Sequence, residues 1–270
     1  MAKSLRTPSR SGIVTLLTDF GTADNFAGVM KGVIASIAPE VRVVDITHDI
    51  LPQQVRQGRW VLGQSWRWFP KGTVHVAVVD PGVGTERRAL AVEAAGHFFI
   101  GPDNGLLSDI VRMEKAKVRQ LANRGWMLKD VSATFHGRDV FAPAAARLAS
   151  GGRFAAAGRE VGDATYLGSM EPVRTGKRFW TGEVVHVDRF GNLITNLTPA
   201  GVPDLLARPA VFKAGFQQIA GLSAAYGAGK PGEVIALAGS HGGVELSVNC
   251  GSAARALGLA LGSPVDVEIL

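Results

Sequence analysis

The residues of this chain best suited to chemistry stand where short apolar runs end. In "VVDPGVGTERR", Val78 to Arg88, an aspartate closes the run, a Pro-Gly-Val-Gly turn follows, and two arginines come next. A carboxylate beside a fixed guanidinium can be a salt bridge, a phosphate cradle or half of a catalytic pair. Asp19 in "LLTDFGTADN" and Asp45 in "VVDITHD" hold equivalent strand-end places, and ligands of open α/β sheets bind outside the carboxyl ends of the strands. The structural alternative is that each carboxylate caps the next loop or helix, and Asp45 is assigned to it. In "ATFHGRDVFAP" His136 lies between Phe135 and a Gly-Arg-Asp turn. A lone histidine is more often structural than catalytic, yet an Asp, an Arg and a His without a nucleophilic side chain form a trio that could position a water.

The five remaining histidines, His48, His75, His97, His186 and His241, show no metal-ligand spacing, and no HExxH occurs, so no metal is expected. A GxSxG elbow, a GxxxxGK[ST] loop and a GxGxxG between strand and helix are all missing from the sequence, and "GVGTER" lacks the lysine and third glycine of a phosphate cradle. Farther on, "VVHVDRFGNLITN" sets Asp188, Phe190 and Asn192 within five residues. They could read an amine, stack on a base and hydrogen-bond its edge. A β-turn of Asp-Arg-Phe-Gly-Asn accounts for the same letters, and spacing leaves the two readings open.

These side chains need elements to hold them. "IVTLLTDF", "VRVVDI" and "TVHVAVVD" read as strands, Asp24 to Ile37 places Phe26, Val29, Val33, Ile34 and Ile37 at helical spacing, and Gln53 to Trp66 does the same with Val55, Val61 and Leu62. Such alternation implies an α/β domain with a mostly parallel sheet covered by helices. Further strands are expected at "ALAVEA" and "HFFIG", and helices at 105–113 and 140–149, the latter with Pro143 in its first turn. Past residue 170, "EPVRTGKR" has the composition of a linker, assigned to 171–179. From 180 to 270 short strands recur at "TGEVVHVD", "GNLITNL", "AVFKAG", "EVIALAG", "VELSV" and "PVDVEIL", with one helix at 252–261. That pattern predicts a smaller all-β, barrel-like second domain. The expected layout is a basic disordered tail over 1–11, the α/β domain over 12–170, the linker and the β domain, with the cleft between domains as the default ligand site.

At 270 residues the chain is comfortable for two cores, since single cores rarely grow past roughly 250 to 300 residues. With 46% hydrophobic and 19% charged residues it is an ordinary globular composition, and the 34 glycines and 13 prolines fall at element ends rather than in a period. A net charge of +6 is scattered, with its tightest clusters in "MAKSLRTPSRSG" and "RTGKR", so no nucleic-acid partner is expected. The single cysteine, Cys250, rules out an internal disulfide framework and is read as a small buried residue in a reducing compartment. No apolar run reaches the ~20 residues of a membrane span and the first dozen residues lack a secretory apolar segment, which places the protein in the cytoplasm without a membrane partner.

Taken together, "LLTDFGTADNFAGVMKGVI", "VVDITHDILPQQVRQG", "VAVVDPGVGTERR", "FIGPDNGLLS", "TFHGRDVFAPAAA", "VHVDRFGNLITN" and "VELSVNCGSAA" resemble, in order and over nearly the whole chain, the S-adenosylmethionine hydroxide adenosyltransferases, relatives of the fluorinating and chlorinating enzymes that attack the same substrate. The resemblance implies an α/β first domain, a barrel-like second domain, and homotrimers whose active sites lie at subunit contacts. It implies hydrolysis of S-adenosyl-L-methionine to adenosine and L-methionine with no cofactor. By the family's pattern Asp80, Arg87 and His136 hold the attacking water or hydroxide, and Arg88 is not the matching arginine. Which of Asp80 and His136 takes the proton depends on their coupled titration and stays open. The glycines of "PGVG" then serve as backbone that approaches the substrate closely.

The same resemblance gives Asp19 the ribose hydroxyls and places Asp24 in the methionine-side loop, where Phe26 replaces a serine used by some relatives. Phe135 counts with the substrate-binding residues. Asp188 faces the methionine ammonium, Phe190 and Asn192 take the adenine-stacking and adenine-binding positions, and Tyr226 supplies the other ring face. Ser240 and His241 fall where relatives bind the methionine carboxylate, with His241 in place of a basic residue, and "VNCGS", with Asn249, gives backbone contacts to adenine. Halogenating members carry other residues at the three water-holding positions and an insertion before the segment matching "GPDNGLL"; this chain has all three residues and lacks the insertion, which favours water over halide. A binding or sensing protein that keeps the adenosyl pocket without turnover is the alternative from another class, and a halogenase the less favoured third.

Overall fold

The structure, a computed structural model, describes residues 10–270. The expected disordered tail therefore lies, but for its last two residues, outside the described residues. Those two are held in place: Arg10 donates to the Leu148 and Gly152 carbonyls at 2.7 and 2.8 Å, and the Ser11 hydroxyl lies 3.1 Å from that of Thr73. The chain divides into two compact units, one ending at Gly168 and the other spanning Ser169–Leu270.

The first unit carries a six-stranded mixed sheet, mostly parallel where it matters for the site. Strands β1 (Ile13–Thr18), β2 (Arg42–Thr47), β3 (Val74–Val78), β4 (Ala89–Ala94), β5 (His97–Pro102) and β6 (Lys117–Gln120) take the order β2-β1-β3-β5-β4-β6. The first three junctions are parallel, and β4 runs antiparallel to both β5 and β6. Helices α1 (Phe26–Ile37), α2 (Val55–Ser65), α3 (Ser108–Val111) and α4 (Ala142–Ala149) cover it. Successive side chains of a strand point to opposite faces, and β3 shows the consequence. Val74, Val76 and Val78 pack with Met30 and Ile34 of α1 and the alanines of α4, while Ala77 packs with Leu62 of α2 and Trp66. Both faces are covered, so β3 is buried from end to end. Strand β6 and the π-helical turn Gly137–Phe141 that leads into α4 were not expected from periodicity.

The second unit is all antiparallel apart from one isolated bridge. Its strands are β7 (Val173–Arg174), β8 (Phe179–Val187), β9 (Leu193–Thr195), β10 (Ala210–Ala214), β11 (Gln217–Ala220), β12 (Val234–Ala238), β13 (Val244–Val248) and β14 (Pro264–Ile269). They run β11-β10-β14-β8-β9-β13-β12, with β7 on β8, and a bridge from Ser223, just past β11, to Leu237 of β12 nearly closes the path into a barrel. The stretch assigned to a linker is thus partly sheet, since β7 pairs back onto β8. Helix α5 (Ala253–Leu257) is shorter than the expected 252–261 because Gly258, at φ 64°, ends it in the left-handed region.

The parallel register fixes where chemistry can occur. Thr18 of β1 lies opposite Val78 of β3, so Asp19 and Asp80 leave the sheet one and two residues beyond a shared position, on adjacent strands and at the same edge. A second polar feature is deep in the fold: Thr15 Oγ1 lies 2.8 Å from His75 Nδ1, and His75 Nε2 lies 3.2 Å from His97 Nδ1. Burial and the neighbouring His97 push the His75 imidazole down to about 3. The unfolded chain, by contrast, takes up its proton near 6.5, so between those values it binds more protons than the folded chain and stability falls as pH drops. The loss reaches ~1.4 kcal/mol per pH unit for this ring. The urea midpoint is expected to fall through that window and to fall less steeply in His75→Leu; equal slopes would remove the ring from the explanation.

Candidate active site

Asp80 follows β3 at the start of a tight turn in which Val83 N donates to the Asp80 carbonyl at 3.2 Å and Thr85 Oγ1 donates to that of Gly82 at 2.7 Å. The turn delivers Arg87 back over Asp80. Arg87 Nε lies 3.0 Å from each carboxylate oxygen, and one terminal nitrogen donates to Asp80 Oδ2 and to His136 Nδ1, the latter at 2.8 Å. The side chains of Arg87 and Asp80 are only 9% and 4% exposed. Because a guanidinium can only donate, His136 Nδ1 accepts, and the neutral ring carries its hydrogen on Nε2. Burial, with Arg87 next in importance, lowers the His136 pKa and keeps the ring neutral at pH 7.

The segment "FHGRDVF" supplies the other half of this arrangement. Asp139, fully buried, accepts from Ser132 N at 2.8 Å and from Arg138, which fixes the loop ahead of His136. Phe141 lies under the guanidinium, its ring centroid 5.4 Å from Arg87 Cζ. Gly137 leaves no room for more: a Cβ there would stand 3.1 to 3.3 Å from Phe135, Met30 and Phe20. A π-helical turn at such a place is a frequent mark of a functional site.

Around this trio opens a cleft of about 440 Å³, lined by Asp19, Asp80 and His136 together with Phe20, Phe26, Phe135 and Gln53. The three phenylalanine rings form a corner, with centroids 5.2 to 5.9 Å apart. Phe26 is 42% exposed, a large apolar side chain that folding leaves at the cleft. Asp19 Oδ2 accepts from Gln53 N at 2.8 Å, and burial raises the Asp19 pKa, with the Asp80 charge adding to it. Gln53 makes that bond from a left-handed backbone, φ 65°. Asp24 is exposed and does not line this cleft.

Two expectations change here. The close approach at Gly84 of "PGVG" is to protein: a Cβ there, at φ 79°, would stand 2.2 Å from the Ala133 carbonyl oxygen, so the glycine packs the Arg87 turn onto the His136 loop. Asp45 lies within β2 rather than at its exit, and instead of capping it binds Lys31 Nζ at 2.6 Å and lies 3.1 Å from His48 Nε2. Arg88 turns away from Arg87 and donates to Asp103 and Asp163, tying the chain before β4 to the 103 and 163 loops. Among the described residues no group of three or more His, Cys, Asp or Glu side chains is placed to hold a metal ion.

In the second unit Asp188 Oδ1 accepts from Phe190 N and Asn192 N, both at 2.9 Å, and Oδ2 accepts from Asn192 Nδ2 at 2.8 Å. The β-turn reading of these residues is therefore realised. It leaves the Phe190 ring 77% exposed. The Tyr226 hydroxyl donates to Glu245, which with burial pushes it up to about 12, and His241 Nδ1 lies 3.9 Å from the other Glu245 oxygen. Glu245, 4% exposed, was missed; its signal is a lone acid inside the buried strand "VELSV". Asn249 Nδ2 donates to the Gly229 carbonyl at 2.7 Å, Ser240 is exposed, and Cys250, expected to be buried, is exposed at φ 58°.

Comparison with known proteins bears on both units. Residues 14–158 match the family described as SAM hydroxide adenosyltransferase N-terminal domain, and residues 182–266 the corresponding C-terminal domain. An (R)-S-adenosyl-L-methionine hydrolase of Salinispora tropica is 42% identical over 94% of this chain and 97% of its own length, and one of Thermus thermophilus is 41% identical over 93% and 98%. A fluorinase of Actinopolyspora mzabensis is more distant, 27% identical over 94% and 96%. The crystal structure of an uncharacterized conserved protein from Thermotoga maritima superposes with a TM-score of 0.87 at 33% identity, covering 94% of this chain and 99% of that one.

The Gly84 packing has a direct test. Gly84→Ala is expected to destabilise the protein by more than ~1 kcal/mol, because the residue must leave a left-handed backbone or displace the Ala133 carbonyl. A thermal midpoint equal to that of the parent would show that the two loops are not held together there.

Proposed function

The chain belongs to the SAM hydroxide adenosyltransferase family, and on that premise we propose that it hydrolyses S-adenosyl-L-methionine to adenosine and L-methionine by in-line attack of water on the ribose C5′. The observation that carries the reading is the Arg87 guanidinium bridging Asp80 and His136, two residues that line one cleft with Asp19. The bond that forms is C5′–O, and the bond that breaks is C5′–S. The electron pair goes to sulfur, so methionine leaves as a neutral thioether and one proton of the water must be taken up.

The hydrogen-bond directions support the following roles for the trio. With Nδ1 occupied by Arg87, His136 offers Nε2–H, a donor that holds the water oxygen and points its hydrogen elsewhere. Asp80 keeps acceptor capacity, since a carboxylate has about four lone-pair sites, and takes the proton before returning it to solvent. Arg87 holds both partners and stabilises the hydroxide-like oxygen. General-base help of this kind gives ~10² to 10⁴-fold, and alignment in a closed site supplies much of the rest. No cofactor is called for, because the sulfonium is already an activated leaving group.

Asp19 accepts the two ribose hydroxyls, and Phe135 and Asp24 belong to the substrate side. Asp188, Phe190, Asn192, Tyr226, Ser240, His241 and Asn249 bind adenine and the amino-acid end in a homotrimer whose subunits share their sites. A cytoplasmic placement is part of the proposal and is supported by the single cysteine, which forms no internal disulfide.

The metal-chelated protein incubated with S-adenosylmethionine in ¹⁸O-labelled water is expected to yield adenosine labelled at the 5′ oxygen, with methionine. Both sulfur epimers are supplied, because the relatives are named for the (R) form. Binding without product would favour the sensing alternative, and a 5′-halo nucleoside in chloride would favour the halogenase. In Asp80→Asn and His136→Ala, turnover is expected to fall ~10² to 10⁴-fold while adenosine affinity changes little; unchanged turnover in both would refute the assignment.

A further inference from the structure

Beneath Asp19 runs a chain of polar groups that the reaction does not touch. Phe20 N donates to Thr18 Oγ1 at 3.2 Å, and Thr18 Oγ1 lies 2.8 Å from His48 Nδ1. His48 Nε2 is 3.1 Å from Asp45 Oδ1, a close contact without an aligned hydrogen bond, and Lys31 Nζ holds Asp45 Oδ2 at 2.6 Å. Thr18 is fully buried and His48 nearly so. Since Thr18 Oγ1 already accepts from Phe20, its own hydrogen is free for Nδ1, which leaves the Nε2 edge of the ring facing Asp45.

The backbone repeats the connection. Gly21 N donates to the His48 carbonyl at 2.8 Å, Ile50 N to that of Thr18 at 3.3 Å, and Gln53 N to the Asp19 carboxylate at 2.8 Å. Segment 48–53 is thus laid along residues 18–21 and fastened at both ends: by His48 at one, and by a Gln53 backbone at φ 65° at the other. A left-handed backbone on a residue other than glycine costs free energy and persists where its surroundings over-determine it, commonly at functional sites.

From these contacts we infer that His48, anchored by Asp45 and Lys31, is a positioning residue that sets the carboxylate of Asp19 for the ribose diol. The inference rests on the assignment of Asp19 made above. His48 does not line the cleft and is linked to its lining residue Phe20 through Thr18, so its effect is carried by the 18–21 loop and not by touching substrate. Lys31 and Asp45 fix the ring from the exposed side of β2, where α1 supplies the lysine.

The test is a double-mutant cycle read by nucleoside binding. Dissociation constants of adenosine and of 2′,3′-dideoxyadenosine, which lacks both hydroxyls, are measured for the parent, His48→Ala, Asp19→Asn and the double variant. His48→Ala is expected to weaken adenosine about tenfold, the size of one or two lost hydrogen bonds, and to leave the dideoxy analogue unchanged. In the Asp19→Asn background the same change is expected to cost nothing further. His48→Asn, whose carboxamide can accept from Thr18, restores part of the affinity. Asp45→Asn, at an exposed carboxylate, carries the same cycle if His48→Ala does not fold. Equal losses for both nucleosides, or additive effects in the cycle, would overturn the inference, as would a parent protein indifferent to the diol. Turnover of S-adenosylmethionine by the parent is followed separately, so failure of the hydrolase reading shows as absent product while the cycle still reports on the clamp.

Discussion

A guanidinium taken out of water is the constraint around which this site is built. Removing an ion from water costs several kcal/mol even after relaxation, and a partner offsets that only when the remaining donors are also filled. Arg87 meets the condition with two atoms of Asp80, one of His136 and the face of Phe141. A lysine has no planar fork to make those bonds at once. Every element nearby can be understood as keeping the fork filled. Asn104 Nδ2 donates to the Val79 carbonyl at 2.8 Å and steadies the strand end before Asp80, Gly84 lets the turn lie on Ala133, and Asp139 holds the loop that brings His136.

The sheet explains why the two carboxylates of the cleft behave differently. Asp80 leaves β3 and Asp19 leaves the parallel neighbour β1, so both arrive at one edge, but only Asp80 meets an arginine. Asp19 is held by backbone donors, Gln53 N among them, and burial raises its proton affinity. One carboxylate is therefore fixed as part of an ion pair, and the other keeps acceptor capacity, as the proposed ribose contact requires. The adjacent arginines divide in the same way: Arg87 serves the site, while Arg88, one residue on, ties Asp103 and Asp163 together.

Much of this was readable where burial dominates. β1 and β3 are covered on both faces and appear as runs that are apolar but for Thr15, Thr18 and His75, and the strand-end aspartates follow from them. Strands β6, "KVRQ", and β11, "QQIA", were missed because they are half exposed and end their sheets, so packing does not select apolar letters. The π-helical turn was not readable because π and α backbones share the same residue preferences. Helix α5 stops at a glycine although apolar letters continue, and Cys250 sits on an exposed left-handed turn that hydropathy ignores. The relay of Thr18, His48 and Asp45 joins residues up to thirty positions apart, and no local spacing announces it.

The composition of the cleft also bears on how hydrolysis of a sulfonium would be driven. Beyond Asp19, Asp80 and His136, its walls are largely Phe20, Phe26, Phe135, Pro52, Val78, Pro81 and Val83. Ring faces and carboxylates attract a cation, and the proposed reaction removes the charge from sulfur as the C5′–S bond breaks. Walls of this kind hold the ground state at least as well as the transition state, so they serve binding and do not by themselves speed the step. What remains for the site to supply is alignment of the water with the leaving sulfur. Under the proposed assignment Asp19 fixes the ribose during that attack, and the way β2, α1 and the 48–53 segment hold Asp19 then bears on the rate as well as on affinity.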